Sequence, residues 1–399
     1  MPDRRPLPRN PGVAHSRTFP WAMLGVTIAM DWVAILPAGL IGVLTLEIGT
    51  TVDVAPATLG VVISAYFLSG SATAALLGSQ IDRAGPRRSA SIAGVVSVAC
   101  LAAMAAPWDS FWPVAVIAAA AGSAMAIMMP STNAMLGSVV PQRFRMLAVC
   151  AKQAAVPIAL ASAAATIAIA TSLGGWRSVF AGAAALGCGV LVCFRRCTTK
   201  PNSGSAGQPS AHGGSGRAAQ RTILRVGAST MLASLLAGSL TGYAAISLRA
   251  AGFSPVGVAT VLALSNAAGV LSRLISGWWA QRRRSTSLRA VAAMMLAGSV
   301  GAALLAAGTP VTAAIGSVVA FGLGWGFSAL TYAVILELNP DNPGATGSVI
   351  QSGGMAGSGL GPLIMAGVAG YSGLAAGWLV VAAASVAAGL LIWRFQPAR

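Results

Sequence analysis

The chain has 399 residues, of which 56% are hydrophobic and only 8% are charged, and its mean hydropathy is +0.77. Soluble proteins carry about 25% charged residues, so this composition excludes a soluble globular protein and indicates a membrane protein. The formal net charge of +17 would suggest nucleic-acid binding in a soluble chain. Here the basic residues are scattered between long apolar segments, so we expect a lipid bilayer and no nucleic acid as partner.

The apolar segments predict an all-α membrane protein with twelve transmembrane helices. About 20 apolar residues are needed to cross a bilayer, and the long unbroken segments lack the alternation of barrel strands. The predicted helices cover residues 21–44, 57–81, 90–106, 111–136, 147–170, 179–194, 223–248, 256–280, 291–307, 311–336, 348–369 and 374–393.

Composition and charge predict how the helices are grouped and oriented. A polar linker rich in Gly, Ser and Pro, residues 196–222, separates two six-helix bundles at 20–195 and 223–395. Residues 1–19 and 396–399 are predicted to be tails. Nearly all Lys and Arg fall on alternate loops and on the tails, and only Arg177 and Arg249 fall on the opposite loops. Cytoplasmic loops carry such an excess, so we expect both termini to be cytoplasmic, in the plasma (inner) membrane.

The segment between the second and third predicted helices reads GSQIDRAGPRRS. Its defining positions are Gly78, Asp82, Arg83, Gly85, Arg87 and Arg88. The corresponding segment of the second half has Gly277 and Arg282, with Gln281 in place of the acid and Arg273 four residues before Gly277. This pattern resembles the loop between helices 2 and 3 in the major facilitator superfamily of secondary transporters.

The resemblance implies a specific architecture and activity. It implies two pseudo-symmetric bundles that move about a central site, giving alternating access for a small organic solute, and it implies a monomer. It also implies a cytoplasmic gate at the residues just named. Asp82 ends a helix whose dipole disfavours an acid, so it needs compensation, which Arg83, Arg87, Arg88 and the start of the eleventh helix can supply. The resemblance implies the contact with the eleventh helix. Gln281 cannot form the same charged contact, so we expect an asymmetric gate.

Asp31 is the acid that is placed deepest in a predicted helix. It lies about 15 Å from the helix start, near the bilayer midplane. A charged residue there costs roughly 2.5–3.5 kcal/mol, so by default it faces a cavity and has a function. Asp31 can be a reversible proton site or attract a cationic substrate. Alternatively, it is a structural acid bonded to Ser or Thr on a neighbouring helix.

Other polar residues at useful depth complete the predicted proton and substrate site. They are Gln153, Gln351, Asn133, Tyr243, Lys152 and Asn266. Lys152 can bind an anion or extend to the inner surface. The two glutamines can line a cavity or join packed helices. Asn133 follows Pro130, so it can border a transport site or a simple kink.

The remaining chemistry argues against an enzyme. Both histidines, His15 and His212, lie outside the predicted helices, and no phosphate-binding Walker sequence occurs. We therefore expect no catalytic residues, no cofactor and no metal. We expect the function to be proton-coupled transport of a small organic solute. The alternatives are a proton-coupled drug or metabolite efflux antiporter and a non-transporting membrane sensor. The Gly-Pro-Gly-Gly signature of drug/proton antiporters is replaced by ASAAATIAIA at 161–170, which weakens the first alternative.

Overall fold

The computed structural model describes residues 20–55, 58–172, 174–198, 217–283, 287–338 and 343–393, and nearly all of them are helical. The α-helices, in chain order, are α1 Trp21–Val43, α2 Thr45–Thr51, α3 Leu59–Ala84, α4 Pro86–Met104, α5 Phe111–Val139, α6 Arg145–Lys152, α7 Ala155–Ser172, α8 Trp176–Cys197, α9 Arg217–Ala250, α10 Pro255–Arg283, α11 Leu288–Ala307, α12 Pro310–Val319, α13 Phe327–Leu338 and α14 Pro343–Trp393.

The described chain contains eleven segments long and apolar enough to cross a membrane. The last of them, Val349–Trp393, has 45 residues, about twice the length that one crossing needs. Gly373 interrupts it with φ 81° and ψ 166°, a conformation that favours glycine and separates two passes. The segments therefore provide twelve passes, which confirms the predicted all-α architecture.

The fifth predicted helix, 147–170, is in fact two helices, because α6 ends at Lys152 and α7 begins at Ala155. The physical reason is Pro157. Proline has no backbone N–H to donate, and its ring clashes with the carbonyl of Gln153, four residues earlier. Gln153 consequently occupies the break between α6 and α7. The predicted single pass is confirmed as Arg145–Ile167, but its helix is not continuous.

The tenth predicted helix, 311–336, is also interrupted, because a π-helical segment, Ala320–Gly324, joins α12 to α13. The Trp325 amide donates to the Ala320 carbonyl five residues earlier, at 2.8 Å. Gly324 packs so closely on α11 that an added Cβ would lie 2.6 Å from the Gly298 Cα. This close packing accompanies the irregular turn, and hydropathy does not reveal it.

The passes divide into a first half, α1–α8, and a second half, α9–α14. A large buried apolar cluster lies within the first half, and two smaller clusters draw mainly on the second. The halves contact each other chiefly through α3 with α14, α7 with α10, α6 with α10 and α1 with α9. We call the face of the molecule at which the described chain begins, with α1, and ends, with α14, the terminal face. The end of α8 and the start of α9 lie at the same face.

The predicted linker and tails lie largely outside the described residues. Residues 1–19, 199–216 and 394–399 belong to that part of the chain. Where the chain is described, α8 continues to Cys197 and α9 begins at Arg217, so helix covers both ends of the segment predicted as linker.

Candidate functional site between the two halves

A cavity lies between the two halves and encloses about 760 Å³ of space not occupied by atoms, part of it open to solvent. Both halves contribute to its wall, which is mostly apolar and aromatic. The first half contributes Tyr66, Phe67, Met125, Met129 and Gln153, among others. The second contributes Thr230, Ser234, Trp325, Tyr332 and Gln351, among others. Ligand sites combine apolar walls with a few polar groups in this way.

A buried ion pair lies beside this cavity. Lys152 Nζ is 2.6 Å from Asp31 Oδ2, and the two side chains are 1% and 0% exposed. Asp31 is near the middle of α1, and Lys152 is the last residue of α6. The contact places the two charged groups at the same depth. Lys152 does not extend to the surface, which was one of its two predicted placements.

Two further contacts connect the ion pair to α5. Thr132 Oγ1 donates to Asp31 Oδ1 at 2.7 Å, and Lys152 Nζ donates to the Met129 carbonyl at 3.3 Å. Met129 lines the cavity, as does Gln153, the residue that follows Lys152. The pair thus lies directly behind the cavity wall. Sequence reasoning selected Asn133 on α5, but its neighbour Thr132 contacts the carboxylate.

Gln153 and Gln351 line the same cavity from opposite halves, as a substrate site between the bundles would require. Gln153 lies at the break between α6 and α7. Gln351 is on α14, and its Nε2 is 3.8 Å from the Met129 sulfur across the cavity. Trp325 also lines the wall and was not among the predicted site residues; the glycine-rich segment 321–326 was the available signal for it.

Three other predicted site residues lie elsewhere. Asn133 is half-buried on α5 and is not part of the cavity lining. Tyr243 is buried against Gly60, where an added Cβ would lie 2.6 Å from its hydroxyl oxygen. Asn266 lines a smaller cavity of about 270 Å³ near the opposite face, and its Nδ2 donates to the Leu262 carbonyl at 2.8 Å.

The predicted gate is described in part. Gly78, Asp82 and Arg83 belong to α3, but their side chains lie outside the described residues, so the contact expected for Asp82 stays a prediction. Gly85 joins α3 to α4 with φ 83°, and Arg88 is exposed. Arg87 donates to two groups at the end of α8, Thr198 Oγ1 at 3.1 Å and the Arg195 carbonyl at 3.3 Å.

The second-half gate residues lie at the contact between α10 and α6. An added Cβ at Gly277 would lie 2.6 Å from the Cys150 Cβ, so the helices touch there. The Cys150 thiol donates to the Ala329 carbonyl of α13 at 3.6 Å. Arg282 lies over the Trp278 ring at 4.4 Å, on the same helix.

Arg273 is a buried cation, 1% exposed, on α10. Its Nη1 donates to the Gly269 carbonyl at 3.0 Å, and its Nη2 donates to the Trp325 carbonyl at 3.3 Å. In the part of the chain that the structure describes, no carboxylate forms an ion pair with it. Arg273 therefore fixes the irregular segment whose Trp325 side chain lines the cavity. No cluster of described residues could hold a metal ion.

Comparisons with known proteins agree with this geometry. A family model described as Major Facilitator Superfamily matches residues 21–347. The crystal structure of the human organic anion transporter MFSD10 (TETRAN) is similar in fold, with a TM-score of 0.72 at 15% sequence identity; the match covers 94% of this chain and 100% of that one. No curated protein matches the sequence.

Proposed function

From the premise that the chain belongs to the Major Facilitator Superfamily and is a membrane transporter, we propose that it moves a small organic solute by proton-coupled alternating access. The observation that carries the proposal is the buried Asp31–Lys152 pair beside a cavity shared by both halves. The cavity is the proposed solute site, with Gln153 and Gln351 as its amide groups.

The ion pair offers a physical route for coupling. A proton that binds Asp31 neutralises the carboxylate and leaves Lys152 as an uncompensated buried cation. Such a charge costs several kcal/mol, so the protonated state favours entry of water or of an anionic group next to Met129 and Gln153. Release of the proton restores the pair and removes that attraction. Proton and solute occupancy are thereby linked through the same lysine.

Contacts between the halves on both sides of the cavity support alternating access. On the terminal side, α6 packs on α10 at Gly277, and Ser71 Oγ donates to the Ser352 carbonyl of α14 at 3.0 Å. On the opposite side, Gly42 of α1 contacts the Thr241 carbonyl of α9. Opening one set while the other stays closed would expose the cavity to one face at a time.

The charge pattern also supports an orientation. The loops at the terminal face carry nearly all the basic residues, so we place that face in the cytoplasm and the protein, as a monomer, in the inner membrane. The proposed gate between Asp82 and the start of α14 would then close the cytoplasmic side.

Two solute classes follow from different observations. An organic anion is favoured by the buried cations Lys152 and Arg273, against one buried carboxylate among the described side chains, and by the likeness in fold to an organic anion transporter. Efflux of an apolar drug or metabolite is favoured by the apolar wall that Met125, Met129 and Phe67 form. The antiporter remains the second candidate function.

The test begins with purified protein in detergent and a thermal-shift screen of organic anions and apolar drugs. Compounds that stabilise the protein are then measured for uptake into proteoliposomes with and without an imposed pH gradient. Accumulation of a compound that depends on the gradient supports the proposal. Binding and counterflow that are both insensitive to the gradient would remove the proton from the mechanism, and an absence of counterflow would favour a sensor.

A further inference from the structure

The last turns of α8 carry two free thiols that transport does not use. Cys193 and Cys197 are both exposed, and their sulfur atoms are 3.7 Å apart. Residues four apart lie on one face of a helix, so the two side chains are neighbours for as long as the helix is intact. Arg195 and Arg196, in the same last turn, place it at the boundary between membrane and water, where dissolved reagents reach it.

The two sulfur atoms are close, but an intact helix is too long at this spacing for a disulfide. Residues four apart in an α-helix have Cα atoms about 6 Å apart, within the roughly 4.4–6.8 Å of disulfides, whereas their Cβ atoms are about 5–6 Å apart and a disulfide needs about 3.5–4.5 Å. Cys197 is the last residue of α8, so the sulfur atoms can approach to about 2.05 Å if the final turn unwinds. The other exposed thiol on this helix, Cys188, has no described cysteine beside it.

We propose that Cys193 and Cys197 form a dithiol modification site that small-molecule disulfides oxidise to a disulfide, with unwinding of the last turn of α8. One thiolate attacks a sulfur of the reagent, forms a mixed disulfide and releases the first reagent thiol. The second cysteine thiolate then attacks the cysteine sulfur of the mixed disulfide and releases the second reagent thiol. Two protein thiols are oxidised, one reagent disulfide is reduced, and the thiol protons end on the two released thiols.

The site is connected to the signature loop of the first half. Arg87, in the first turn of α4, donates to the Arg195 carbonyl and to Thr198 Oγ1, which lie between and just after the two cysteines. Thr198 Oγ1 in turn donates to the Phe194 carbonyl at 2.7 Å. A disulfide that unwinds this turn therefore moves the groups that hold Arg87.

The experiment uses the full chain, purified in detergent, with Cys188→Ser as the background so that one exposed lone thiol is removed. The protein reacts with 2,2′-dithiodipyridine, and released pyridinethione is followed by absorbance. We expect two equivalents of thione, the second released at a rate independent of reagent concentration because the step is intramolecular. Mass spectrometry should find Cys193 and Cys197 in one cross-linked peptide, lighter by two hydrogens.

The control variant is Cys197→Ser in the same background, in which Cys193 should keep one pyridyl adduct and release one equivalent of thione. In the protein with both cysteines, alkylation of the pair by N-ethylmaleimide should be lost after oxidation and restored by reduction. Stable adducts on both cysteines without a cross-link would overturn the proposal. So would a second step as dependent on reagent concentration as the first. Neither readout depends on transport.

Discussion

Replacement of Asp31 by asparagine is the sharpest test of the coupling mechanism. Asn has nearly the same shape as Asp, and its amide oxygen can still accept from Thr132, so the change removes the charge and little else. Lys152, 1% exposed, loses the carboxylate that lies 2.6 Å away. We expect transport driven by a pH gradient to disappear, whereas counterflow of the same compound at equal pH should persist.

The structure also sets the expected magnitude for stability. Removal of one partner from a buried ion pair costs about 3–5 kcal/mol, because the other charge remains uncompensated. Asp31→Asn should therefore lower the unfolding temperature clearly, unless Lys152 sheds its proton, which moderates the loss. The double variant Asp31→Asn/Lys152→Gln has no buried charge left and should recover part of the stability, giving a measurable coupling energy in a double-mutant cycle.

The assay is uptake into proteoliposomes with imposed pH gradients, together with thermal unfolding of the same preparations. Asp109→Asn is the matched control, since Asp109 is 88% exposed and lies 3.6 Å from Arg177, a surface contact that contributes little. Unchanged dependence of Asp31→Asn on the pH gradient would refute the role of Asp31 in coupling. A stability loss no larger than that of the control would refute the buried ion pair itself.

Three further predictions concern the cavity and its terminal side. Gly277→Ala places a Cβ 2.6 Å from the Cys150 Cβ, so it should separate α10 from α6 and increase labelling of cysteines introduced at the terminal face. Gly182→Ala is the control, because nothing lies within 4 Å of its added Cβ, and it should leave this labelling unchanged. Asp82→Asn should also open that face while Gln281→Ala has little effect, and equal increases in labelling for both would contradict an asymmetric gate. Gln351→Ala, at the cavity wall, should raise KM several-fold with unchanged unfolding temperature, whereas an unchanged KM would remove Gln351 from the solute site.

Sequence reasoning predicted the number of passes because hydropathy is a property of each segment by itself. A segment of about 20 apolar residues must cross the bilayer as a helix whatever its neighbours are. The same reasoning found Asp31, since depth along a helix follows from residue number and rise per residue. It also found Gln153 and Gln351, which line one cavity from opposite halves.

The tertiary structure alone decided which of these groups meet. Asp31 and Lys152 were predicted as separate site residues, and their pairing depends on how α1 and α6 are rotated and packed against each other. On α5, one residue changes direction by about 100°, so Thr132 rather than Asn133 reaches the carboxylate. The sequence by itself therefore determined the membrane fold and the depth of the polar residues. Their partners depend on helix rotation and on helix breaks, which only packing against other helices sets.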